Sequence, residues 1–350
     1  MSLVGDFLRE EIAKESFPGA VALVASRDAI LETAHAGHAA VEPEEVPAEP
    51  ETLYDLASLT KPLCAGELAR IGTHSGLSLD FAPGRFFPGW KRTRYEGITL
   101  RMLLTHTSGL PAWHPLYVKG EGAEAYRRTL CEIEPETPPG EAVIYSDLGF
   151  LVLGEVLEAF FSSPLDRCFA ALVAEPAGSG ARFLPPAYRR TAATEKDDRT
   201  EREMAEALGL SYPRFRGGVV WGEVHDGNAF RRGGVSAHAG LFASAEDVWR
   251  LARSWLDPAR AQFVQDSTPE CSEARALSWQ GRRGAGSAIE KMSPRAFGHT
   301  GFTGTSIWID PEPARVYVLL TNRVHPEARD TDFNAVRRRF HEVASEEFSG

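Results

Sequence analysis

Ser58-Leu59-Thr60-Lys61 sets a hydroxyl and an amine three residues apart, in a chain of 350 residues where lysine is rare and arginine common. At a helix start, positions i and i+3 share one face, so the Lys61 amine reaches the Ser58 oxygen. A serine hydroxyl is a weak nucleophile until a neighbouring group takes its proton, and a partly desolvated lysine is one such activator. The free backbone N–H groups of a helix start also point toward negative charge that develops beside them. No other lysine here has serine three places before it. The competing reading of these four residues is an ordinary exposed helix start, so the rest of the chain has to decide.

On the N-terminal side, residues 4–12 carry Val4, Phe7, Leu8 and Ile12 at helical spacing, which predicts an amphipathic helix. Residues 20–25 and 29–34 predict two short strands around a turn at Ser26-Arg27-Asp28. A Pro/Glu-rich loop at 42–51 leads into Ser58. From about 80 to 274 the pattern turns to helices and Gly/Pro-punctuated loops, with apolar helices at 150–157 and 245–256. Strand signals return at 305–309 and 316–320, and a last helix is predicted over 332–343. Strands at both ends with helices between them predict an α+β fold, an antiparallel sheet built from both chain ends and flanked by helices. The expected division is a sheet domain of 1–80 and 275–350, a mostly helical domain of 81–274, and a cleft between them.

Composition narrows the partners. A hydrophobic share of 43% with 25% charged residues is that of an ordinary soluble globular protein. The formal charge of −11 argues against a nucleic-acid partner or an anionic membrane surface. No uninterrupted apolar run approaches bilayer length. Cys64, Cys131, Cys168 and Cys271 show no C-x-x-C spacing and read as free thiols. The N-terminus lacks a basic segment followed by an apolar one, so the chain as written reads as cytoplasmic, or as exported if a leader was removed.

Two further stretches carry chemistry. Tyr145-Ser146-Asp147 follows Pro138-Pro139-Gly140 and precedes the apolar helix, so it sits on a loop at a helix start. A phenol held beside Lys61 can shuttle a proton between Ser58 and a leaving group, whereas alone it reads as packing. Asp147 reads equally as the N-cap of the following helix. His299-Thr300-Gly301-Phe302 precedes the C-terminal strand pair. A glycine at a sheet edge lets a substrate approach, the next N–H can point into an oxyanion hole, and His299 and Thr300 offer donors to a carboxylate.

Together these pieces resemble the active site of the serine β-lactamase and penicillin-binding protein superfamily, on its class C and DD-peptidase side. Residues 103–111, Leu-Leu-Thr-His-Thr-Ser-Gly-Leu-Pro, resemble a sequence marker of that family and read as a structural turn near the cleft. Residues 222–229 and 233–242 resemble stretches found in a subset of it. The likeness spans roughly residues 15 to 345. It implies Ser58 as the acylated nucleophile, Lys61 as its activating partner and Tyr145 as general base and acid. It also implies Thr300 with His299 as carboxylate ligands, and the N–H groups of Ser58 and Phe302 as the oxyanion hole. No cofactor and no metal are implied. Two departures stand out: Asp147 replaces the usual asparagine, and His299 the usual lysine. A carboxylate at 147 can keep Lys61 protonated or favour an amine-bearing substrate, and weakens ordinary β-lactam recognition. The charge of a histidine at 299 is conditional near neutral pH.

The expected activity is that of a serine hydrolase on ester or amide bonds of a small molecule or peptide: an esterase, a D-amino-acid peptidase or a β-lactamase. The alternative is a non-catalytic relative kept for binding or assembly. A third reading gives His225, Asp226 and His238 a zinc ion, although their spacing matches no common zinc motif.

Overall fold

The computed structural model of the chain describes residues 2–87, 90, 95–185, 188–266, 275–329 and 331–348. Nine strands occur in chain order among them: β1 (Gly19–Ala25), β2 (Ile30–Ala40), β3 (Val46–Pro47), β4 (Tyr54–Asp55), β5 (Phe242–Ala243), β6 (Gln280–Gly281), β7 (Phe297–Thr300), β8 (Ser306–Asp310) and β9 (Arg315–Thr321). Seven of them form one sheet in the order β3-β2-β1-β9-β8-β7-β6, and every pairing is antiparallel. The expected closure by the two chain ends is the β1–β9 pair, with Leu23 opposite Val318. β4 and β5 form a separate two-stranded ladder.

β1 reads as an unbroken apolar run because both faces of the sheet are covered. Val21, Leu23 and Ala25 join the larger core together with Ile307, Ile309, Val318 and Leu320. Ala20, Ala22 and Val24 point the other way, into a core shared with Trp308, Tyr317 and Leu319. That second core is closed by the terminal helices Leu3–Ala13 and Phe333–Glu347, where Phe7 meets Phe340 at 5.9 Å between ring centroids. Each fully buried Val or Leu contributes about 1.5–3 kcal/mol, so the alternation of faces is what pins the register.

The first core continues into the helix Asp147–Phe161, whose residues from Leu148 to Leu157 are all buried, and into Ala245–Ala252, whose Trp249 indole donates to the Ser26 carbonyl at 2.9 Å. No single helix among the described residues is long and apolar enough to cross a membrane. Cys64, Cys131 and Cys168 are free thiols, and Cys271 lies outside the described residues.

Candidate active site

The segment at Ser58 differs from the plain helix start expected of it. A left-handed residue, Ala57 at φ +46°, precedes the serine. A single 3₁₀ turn, Ala57–Leu59, is followed by a π-helical turn, Lys61–Gly66, before the α-helix Glu67–His74 begins. Left-handed backbone costs a residue with a Cβ about 1–2 kcal/mol, and π turns gather at functional sites. The expected contact is made all the same: Lys61 Nζ donates to Ser58 Oγ at 2.8 Å.

Lys61 is fully buried, and oxygens of four residues surround its nitrogen. Besides Ser58 Oγ they are the His238 carbonyl at 3.2 Å, Asp147 Oδ1 at 2.6 Å and the Tyr145 phenol. An ammonium has three protons and no lone pair, so this set matches the charged form. Burial works against that charge, but the Asp147 carboxylate and the Tyr145 phenol outweigh it, and the Lys61 pKa is raised. Asp147 is thus not the N-cap. Ser146 caps the helix, its Oγ accepting from the Gly149 N–H at 3.1 Å, because a β-region Ncap must precede the first helical residue, which is Asp147. The carboxylate at that position is left free to face Lys61.

Tyr145 is held by the marker loop that precedes it in sequence. His106 adopts φ +59°, accepts the Ser146 N–H on Nδ1 at 2.9 Å and lays its ring 4.4 Å from the Tyr145 ring. Burial first, then the Arg275 and Lys61 charges, push the His106 pKa well down, so the ring is the neutral acceptor this bond requires. The loop at 103–111 is therefore the support of the phenol.

β7 brings His299, Thr300 and Gly301 to the same cleft. Gly301 must lack a side chain, since a Cβ there would fall 2.6 Å from the Leu56 carbonyl and 2.1 Å from Thr305 Oγ1. His299 does not supply the expected donor. It is buried, and its Nδ1 faces the Thr300 carbonyl at 2.9 Å, which makes that nitrogen the N–H. Burial, then Lys61 and Arg275, hold its pKa well below the usual value, so Nε2 carries only a lone pair. Positive charge in this half of the cleft comes instead from Arg275, Arg323 and Arg337, which with Ser58 and Thr300 line a cavity of about 550 Å³. Arg323 and Arg337 also brace the edge, donating to the Phe302 carbonyl at 2.8 Å and the Gly301 carbonyl at 2.7 Å.

A second cavity of about 200 Å³ lies on the other side of Ser58 and Tyr145, walled by Trp113, Asp147, Met204 and Phe302 among others. His225, Asp226 and His238 also line it. His238 lies between Asp226 Oδ1 (2.8 Å) and Ser236 Oγ (2.7 Å), while His225 pairs with Glu195 at 2.9 Å. The two imidazoles are thus spent on different partners rather than converging on one point.

The family model described as beta-lactamase matches residues 4–339. The chain belongs to the beta-lactamase family. It is a serine hydrolase by that membership. A putative D-alanyl-D-alanine carboxypeptidase of Escherichia coli (strain K12) is 31% identical to this beta-lactamase-family chain over 329 residues, covering 83% of the chain and 74% of the relative. Among solved structures, EstCE1, a hydrolase with promiscuous acyltransferase activity, superposes with a TM-score of 0.75 at 21% identity, over 99% of this chain and 98% of that one. A class C beta-lactamase does so with a TM-score of 0.71 at 17% identity, over 97% and 95%. These superpositions establish the beta-lactamase-like fold.

Three contributors had no signal of their own in the sequence: the left-handed Ala57, the His238 carbonyl, and the arginines at 275, 323 and 337. The arginines are scattered through a chain rich in them, and backbone groups are the same in every residue.

Proposed function

We propose that the protein forms an acyl-enzyme on Ser58 and hydrolyses small amides or esters whose leaving group carries a carboxylate, peptides ending in a D-amino acid foremost. The observation that carries this is the buried Lys61 amine, donating to Ser58 Oγ and the His238 carbonyl and paired with the Asp147 carboxylate. A lysine so bound cannot itself accept the serine proton. Its charge lowers the cost of the developing alkoxide, and the Tyr145 oxygen, acting as the phenolate, takes the proton and becomes the phenol. Ser58 Oγ then bonds the carbonyl carbon, the N–H groups of Ser58 and Phe302 hold the oxyanion, and Tyr145 returns the proton to the departing nitrogen or oxygen. Water repeats the sequence and frees the acid.

The arginine-lined cavity supports a carboxylate on the leaving group, as does the similarity to relatives named D-alanyl-D-alanine carboxypeptidase. The smaller cavity, with Trp113, Met204 and Phe302 in its wall, fits a compact apolar acyl group. Asp147 is a carboxylate, which only accepts, and it faces Lys61, so no amide donor is offered to a β-lactam side chain from that position. A substrate panel tests this reading. D-alanyl-D-alanine peptides and short p-nitrophenyl esters are expected to turn over faster than a chromogenic cephalosporin. Capping the peptide C-terminus as an amide is expected to raise KM about tenfold, the worth of one charge-assisted hydrogen bond. Equal kcat/KM for acid and amide would rule out the carboxylate site.

Asp147→Asn gives a sharper check of protonation. If Lys61 acts as the cation, activity is present below its pKa and is lost as pH rises through it. Asp147 is the largest of the influences raising that pKa, so the variant's alkaline limb in kcat/KM is expected to move to lower pH. Were neutral Lys61 the base, the same substitution would raise activity at neutral pH.

A further inference from the structure

The stretch 222–229 enters none of the steps above, yet it touches the nucleophile turn through one buried carboxylate. Asp55 is 2% exposed and ends β4 three residues before Ser58. Its Oδ1 accepts the Ala57 N–H at 2.8 Å, the amide of the residue held left-handed. Its Oδ2 accepts the His225 N–H at 2.7 Å. The His225 ring in turn stacks on Phe302, 5.5 Å between centroids and 24° between planes. Glu195 fixes that ring from behind at 2.9 Å, and is itself held by Thr200 Oγ1 at 2.7 Å. The Asp55 carbonyl closes the circuit, accepting Thr303 Oγ1 at 2.7 Å, one residue beyond Phe302.

One carboxylate therefore reaches both arms of the cleft: the Ala57 turn that presents Ser58, and the backbone amide of His225, whose ring backs Phe302. We infer that Asp55 is a positioning residue for acylation, setting the separation of the Ser58 and Phe302 N–H groups through Ala57 on one side and His225 on the other. The inference rests on the proposed reading of those two N–H groups as the oxyanion hole. A carboxylate suits the task because both of its oxygens accept, whereas an amide offers one acceptor and turns a donor toward the second N–H.

Asp55→Asn is the test, with pre-steady-state acylation by a p-nitrophenyl ester and inhibition by a tetrahedral boronate as the two readings. The acylation rate is expected to fall about 10²-fold, the scale of losing one oxyanion donor, with KM within about threefold of the parent. Boronate affinity should fall by a similar factor while binding of the carboxylate product is unchanged. A merely structural role would instead reduce the fraction of sites titrated and leave the remaining ones at parental rate. If Asp55→Asn does not fold, His225→Leu keeps the backbone N–H and removes the ring from Phe302, and the same split between boronate and product is expected. Parental acylation and boronate binding in a folded variant overturn the role of Asp55 while the parent's acyl-Ser58 stands. No adduct in the parent overturns the underlying reading instead.

Discussion

Replacing Ser58 by alanine is expected to lower kcat/KM toward both ester and D-peptide by a factor on the order of 10⁴ to 10⁶, the scale of losing a member of a hydrolase's nucleophilic machinery. The loss falls on kcat, because the bond that no longer forms belongs to the reaction and not to substrate binding. The fold should persist. Ser58 faces the cleft, and its Oγ receives only one of the three Lys61 protons, so the amine keeps Asp147 and the His238 carbonyl. A melting temperature near that of the parent, together with loss of turnover, is the expected pair of results. Retained turnover would move the chemistry away from Ser58.

Tyr145→Phe is expected to cost about 10²- to 10⁴-fold in kcat, the usual worth of a general acid–base group, with little change in KM. Although the substitution removes the phenol that helps hold the Lys61 charge, it keeps the packing of the ring. His106 packs 4.4 Å from it, and Arg275 lies over its face at 5.1 Å. The loop is held by the Ser146 amide on His106 and by Ser146 Oγ on the Pro111 carbonyl at 2.6 Å. Acylation at the parental rate in this variant would hand the proton to Lys61, contrary to the pairing of its buried nitrogen with Asp147.

The reasons some of this is legible in sequence are physical. Ser58 and Lys61 are three residues apart, and any helical turn brings such a pair together, so local spacing sufficed even though the turn is 3₁₀ and then π. The β1 run and the β8–β9 pair are continuous local patterns that predict strands directly, and their meeting follows from burying two faces of one sheet. Asp147 is different. At a helix start an acidic residue has two local readings, cap or free carboxylate, and only Ser146 taking the cap in three dimensions decides between them. His299 shows the same limit from another side. Its protonation depends on burial and on Lys61 and Arg275, which are far away in sequence. The histidines at 225 and 238 read as candidate metal ligands because they lie close in sequence. The fold sends one ring to Glu195 and the other between Asp226 and Ser236.

The most direct test of acylation at Ser58 is the mass of the intact protein, quenched in acid during turnover of a short p-nitrophenyl ester and mapped by peptide digestion. The account requires one added acyl group on the peptide containing Ser58, accumulating in the parent and absent from Ser58→Ala. Turnover with an unmodified Ser58 peptide, or an acyl group on any other side chain, would contradict it.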